Sequence, residues 1–116
     1  MSLDAQPTPI QVIRIENSGA LQSLAFADFG DVCYDVTQDQ DCTYVVNPPS
    51  NTNSFQRLIL YVRTKNFATK LPPSSPAMAW PRGERPSIGA GSQSGPGHFR
   101  IVFESNGSAP IFGDVG

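Results

Sequence analysis

Charge is scarce in this sequence. Charged residues are 16% of the 116 residues, and histidine and tryptophan occur once each and cysteine twice. Eight Lys and Arg face ten Asp and Glu for a net charge of −2, and the basic residues are scattered. Binding nucleic acid by counterion release needs several cations on one face, so no nucleic-acid partner is expected. Arg82 and Arg85, with Glu84 between them, come nearest to a basic patch and read first as a solvated loop. No apolar run approaches the roughly 20 residues of a membrane-spanning helix, so no membrane insertion is expected. The first residues, Met1 to Pro9, lack the basic start and apolar centre of a signal peptide, and export by that route is not indicated.

The small stock of reactive side chains limits the chemistry. His98 is the one histidine, and a general base needs a nucleophile and an orienting partner that no spacing places near it. One histidine and two cysteines show none of the spacings of a zinc site. Asp35, Asp39 and Asp41 form an acidic stretch that either holds calcium or is a solvated turn, and it lacks the Gly and closing Glu of an EF-hand loop. Gly89, Gly91, Gly95 and Gly97 do not precede a helix with a phosphate-binding Lys or Ser/Thr in register. No metal or cofactor is expected, and the chain reads as no enzyme.

Turn formers and β-branched residues are what the sequence does contain. Ten Gly and eleven Pro leave few windows long enough for a helix. The clearest strand is Phe99 to Glu104, where Phe99, Ile101 and Phe103 alternate with Arg100, Val102 and Glu104. Asn106-Gly107 follows it at the positions where a tight hairpin needs positive φ, and Ala109 to Phe112 reads as the returning strand. Asn106-Gly107-Ser108 also matches a glycosylation sequon, although the turn explains it unaided. The Trp80 segment is expected to pack on this hairpin as the nucleus of the core.

Upstream, residues 1 to 9 read as an extended or disordered lead-in. Ile10 to Glu16 reads as a strand, and Leu21 to Phe29 also, with one helical turn as its rival. Val32 to Val36 and Cys42 to Val46 read as a hairpin around the polar turn Thr37 to Asp41. That hairpin would set Cys33 opposite Cys42, as a cross-strand disulfide or as two reduced residues near the core. Phe55 to Arg63 is apolar on both faces and reads as a central strand, with Phe67 to Leu71 as its hairpin partner. Proline-rich loops lie at 47 to 54 and 72 to 76, and no internal repeat is visible. Seven to nine short strands separated by turns predict one all-β domain over residues 10 to 116, an antiparallel, jelly-roll-like β-sandwich.

Residues 30 to 113 carry a resemblance. The polar-turn hairpin, the apolar strand Leu58 to Val62, the segment Trp80-x-x-Gly83-x-x-Pro86, the Phe99-x-Ile101-x-Phe103 strand, Asn106-Gly107 and Ile111-Phe112-Gly113 follow in order. Together they resemble β-sandwich modules of bacteriophage virion proteins, of the tail-fibre or appendage head type. The long Gly/Ser stretch Gly89 to Gly97 and the small size depart from that pattern. The resemblance implies a non-enzymatic virion component, assembled in the host cytoplasm as a homo-oligomer, commonly a trimer. It would contact other virion subunits and a host-surface glycan or protein. A capsid decoration or head-to-tail subunit is the alternative, and a carbohydrate-binding module a further one. If the ligand is a glycan, Asn51, Asn53, Phe55, Trp80, Arg82 and Arg85 are the candidate contacts, with Trp80 either a sugar platform or a core residue.

Overall fold

A computed structural model describes residues 11–27, 30–49, 55–65, 67–71, 78–80, 97–107 and 111–115. Within them the chain forms strands and no helix: β1 (Gln11–Ile15), β2 (Leu21–Ala25), β3 (Gly30–Thr37), β4 (Cys42–Asn47), β5 (Gln56–Lys65), β6 (Thr69–Lys70), β7 (Met78–Ala79), β8 (Gly97–Ser105) and β9 (Ile111–Val115). They make two sheets, one of six strands in the order β1-β3-β5-β8-β9-β7 and one of three in the order β2-β4-β6.

The all-β expectation holds, but an antiparallel arrangement does not. β1 pairs with β3, β3 with β5, β2 with β4, β4 with β6 and β7 with β9 in parallel; antiparallel pairing is confined to β5 with β8 and β8 with β9. The chain therefore winds. Three times it runs along the large sheet, turns a corner and runs along the small one, as β1–β2, β3–β4 and β5–β6. The spacing of these turns is unequal: Gln11 pairs with Val32, 21 residues on (11 to 32), and Val32 with Leu58, 26 residues on (32 to 58). Unequal spacing, with different side chains stacked at each level, is why no repeat shows in the sequence.

Two expected hairpins fall with this topology. β3 and β4 lie in different sheets, and β6 pairs with β4 instead of returning along β5. The stretch Thr37 to Asp41 is a corner, and Gln38 shows why. Its side chain is fully buried. The Gln38 Nε2 donates to the carbonyls of Gln40 (3.3 Å) and Ala68 (3.0 Å), while Oε1 accepts from the hydroxyls of Tyr44 (3.2 Å) and Thr69 (2.6 Å). Both donors and both lone pairs are used, so the amide sits in the interior without an orphaned group. Backbone bonds carry the stacking around the bends, from Ser18 N to Thr37 O and from Gln38 N to Arg63 O. The acids of this stretch are engaged as well: Asp39 Oδ1 accepts from Gly19 N, and Asp41 Oδ1 from Ala68 N, both at 2.9 Å.

Both sheets contribute to one core. Period-two alternation turns Val32, Tyr34 and Val36 of β3 and Leu58, Leu60 and Val62 of β5 inward, where Leu24, Cys42 and Tyr44 of the small sheet meet them. The register stacks Tyr34, Leu60 and Ile101 in one row and Val36, Val62 and Phe99 in the next. Each fully buried Leu here contributes about 1.5–3 kcal/mol relative to exposure. The Tyr34 hydroxyl crosses between the sheets, donating to Ala25 O (3.2 Å) and accepting from Ala25 N (3.1 Å).

The closing β8–β9 hairpin is as the alternation predicts, with Trp80 beneath it. Gly107 has φ +95°, a left-handed value suited to glycine. The turn is wider than a two-residue one, because Glu104 pairs with Phe112 and leaves Ser105 to Ile111 as the connection.

Candidate functional site

The side chains that β1, β3, β5, β8 and β9 turn away from the core form the outer face of the large sheet. Its register is set by the pairs Arg14–Asp35–Tyr61–Arg100, Val12–Cys33–Ile59–Val102–Asp114 and Asp31–Arg57–Glu104–Phe112. A central apolar row thus separates two polar flanks. One flank carries Arg14, Arg63, His98 and Arg100 with Asp35 and Glu16; the other carries Asp31 and Glu104 with Arg57, and Asp114 ends the central row. The face is electrostatically polarised along the strand direction.

Ion pairs hold part of each flank in place. Arg57 grips Asp31 Oδ2 through Nη2 (2.6 Å) and Nε (3.1 Å), which keeps the guanidinium more firmly protonated than usual. Asp35 takes Arg14 Nη1 on Oδ2 (3.0 Å) and Arg63 Nη1 on Oδ1. Both of its oxygens are occupied.

A hollow of about 330 Å³ lies at the cationic end, lined by Tyr61, Val62, Arg63, His98, Phe99 and Arg100. Its walls follow from the β5–β8 register, in which Tyr61 lies across from Arg100 and Arg63 from His98. The pairing slips between Arg63 and Lys65, and Lys65 adopts φ +53°. Such a bulge bends the strand and re-aims the side chains next to it, here at the rim of the hollow. Tyr61 is 43% exposed, an aromatic ring held at the surface between Asp35 of β3 and Arg100 of β8. Among the described residues no carboxylate pairs with Arg100. The arrangement presents an aromatic ring, guanidinium donors and an imidazole on one patch of the sheet.

Of the residues expected to bind, Phe55 and Trp80 are described, and neither lines the hollow. Phe55 is 56% exposed directly before β5, apart from the hollow. Trp80 is 4% exposed and belongs to the core, its indole packed against Phe103 and over Gly113, so it is no sugar platform. Asn51, Asn53, Arg82 and Arg85 lie outside the described residues. Tyr61, Arg63 and Arg100 went unread as a site; their signal was Tyr61 and Arg63 at alternate positions of one strand, and His98 and Arg100 at alternate positions of the strand that the register sets beside it. His98 is exposed, as a strand-end histidine is expected to be.

The cysteines are separate. Cys33 and Cys42 are both free and buried, one on the outer row of β3 and the other inward on β4. The cross-strand geometry expected of a disulfide is missing because β3 and β4 belong to different sheets. Burial pushes both thiols above their ordinary value, with Asp35 adding to it at Cys33 and hydrogen bonds from Ser18 and Tyr44 opposing it at Cys42. Burial raises the Tyr44 phenol too. Among the described residues no group of His, Cys, Asp and Glu is placed to hold a metal ion, and no helix is long and apolar enough to cross a membrane.

No family model, curated protein or solved structure matches this chain.

Proposed function

We propose that the protein is a non-enzymatic binding module of a virion appendage, of the bacteriophage tail-fibre or spike type. It contacts a glycan on the host surface through the hollow beside Tyr61. The observation that carries this reading is the Tyr61 ring, solvent-exposed at the rim of a cavity of about 330 Å³ and flanked by Arg63, His98 and Arg100. An aromatic face supplies apolar area at low conformational cost, and neighbouring fork-shaped donors orient a hydroxylated ligand. The wound strands hold these groups on β5 and β8 and not on a loop, so little ordering free energy is lost on binding. The two sheets serve as the facing walls of a sandwich-like module around one core. Copies of the module assemble as a homo-oligomer, a trimer in the appendage reading, within the virion.

A glycan array probed with the labelled protein tests the reading. Retention on a defined set of glycans is expected, with loss on Tyr61→Ala at unchanged melting temperature. Absence of retention on every glycan, or retention indifferent to Tyr61→Ala, overturns it. Light scattering after size exclusion tests assembly separately, where a stable monomer excludes the trimer.

A further inference from the structure

We infer that the ligand of the Tyr61 hollow is an acidic glycan, its sugar carboxylate held by Arg100 and Arg63 and its ring lying against Tyr61. The inference rests on the glycan-binding reading above and narrows it.

Among the described residues, the lining of the hollow contains two guanidinium groups and an imidazole and no carboxylate. Two acids stand nearby: Asp35, whose oxygens are both occupied by Arg14 and Arg63, and the exposed Glu16, which lines a neighbouring hollow with Arg14, Asp35 and Arg63. Arg63 gives Asp35 only Nη1, which leaves four of the roughly five N–H donors of a guanidinium for another anion. Arg100 has no carboxylate partner among the described residues. Asp31 and Glu104 stand across the row Val12, Cys33, Ile59 and Val102, and Asp114 ends that row, so none of the three lines the hollow. A neutral sugar seated on Tyr61 would give Arg100 only neutral hydroxyl acceptors in place of water, whereas a carboxylate gives charge-assisted, bidentate bonds, which are stronger. The aromatic ring beside the cations selects a sugar acid over a bare anion.

Calorimetric titration of the intact protein with sialyllactose and lactose, with a galacturonate hexamer and maltohexaose, and with inorganic phosphate tests this. Expected is binding of at least one acidic oligosaccharide and markedly weaker binding of its neutral counterpart. Arg100→Gln should weaken the acidic ligand roughly tenfold, and so should raising salt from about 0.05 to about 0.5 M. Lys70→Gln, which removes an exposed charge from the other sheet, should leave affinity unchanged. Equal affinity for lactose and sialyllactose that survives Arg100→Gln overturns the acidic ligand and leaves the glycan reading intact. Binding of none of the four oligosaccharides overturns both. Phosphate bound as tightly as sialyllactose makes the hollow a simple anion site and also overturns the inference.

Discussion

The indole of Trp80 meets the ring of Phe103 edge to face, with centroids 5.9 Å apart and planes at 69°. Edge-to-face pairing brings the positive ring edge to the negative face. Gly113 completes the contact, because a Cβ at that position would collide with the six-membered ring of the indole. This contact ties β7, β8 and β9 into the core that the wound strands share.

Trp80→Ala is accordingly expected to cost about 3–5 kcal/mol, the range for deleting a large buried aromatic side chain. Gly113→Ala should cost about 1–3 kcal/mol by overpacking the same site. Urea titrations followed by fluorescence of the remaining chromophores check both. A Trp80→Ala protein of unchanged stability would remove Trp80 from the core.

At the corner, Gln38→Leu is expected to destabilise by about 3 kcal/mol, since the hydroxyls of Tyr44 and Thr69 and the carbonyl of Ala68 each lose a partner worth about 1 kcal/mol or more. Combined with Tyr44→Phe, the cost should fall short of the two single effects added, because the hydroxyl orphaned by the first change is deleted by the second. Thermal melts of the four proteins measure that coupling.

Stability should decline in alkali. Cys33, Cys42 and Tyr44 have folded values above the 9.0 of an ordinary thiol and the 10.0 of an ordinary phenol. Groups raised in this way are neutral in both states below about pH 9, where their contribution is whole; above it the unfolded chain ionises first and the contribution is lost as pH climbs. Urea midpoints at about pH 7.5, 9 and 10.5 should fall in that order. Cys42→Ala should flatten the decline.

On the outer face, Asp35→Asn should change stability by no more than about 1 kcal/mol, because its arginine partners are largely exposed. It also frees Arg63 and removes the negative charge beside the hollow. Sialyllactose affinity should then rise roughly threefold. A fall in affinity would place Asp35 among the ligand's own contacts.

Much of the C-terminal part could be read from residues alone. The strict alternation of Phe99, Ile101 and Phe103, with a glycine available for positive φ at 107, leaves few options besides a strand that turns back. The course of Thr37 to Asp41 could not be read in the same way. Polar turn formers suit a hairpin and a corner equally, and what distinguishes them is Gln38 folding inward to meet Thr69, thirty-one residues away. The site was hidden for a related reason. Tyr61 and Arg63 are conspicuous on β5, but their neighbours Arg100 and His98 are fixed by a β5–β8 register that spans a long intervening segment. Local preference names the strands; side-chain complementarity across distance chooses their partners.

The winding also sets the order in which the chain can become ordered. In the first sixty-five residues no strand pairs with its immediate successor, so parallel contacts must wait for loops of twenty or more residues to close. During synthesis β5, the longest strand, is complete well before β8 arrives to pair with it. Until then its outer edge stays open to any passing strand. A chain released before residue 105 would keep that edge, making early termination a route to aggregation even where the core residues are all present.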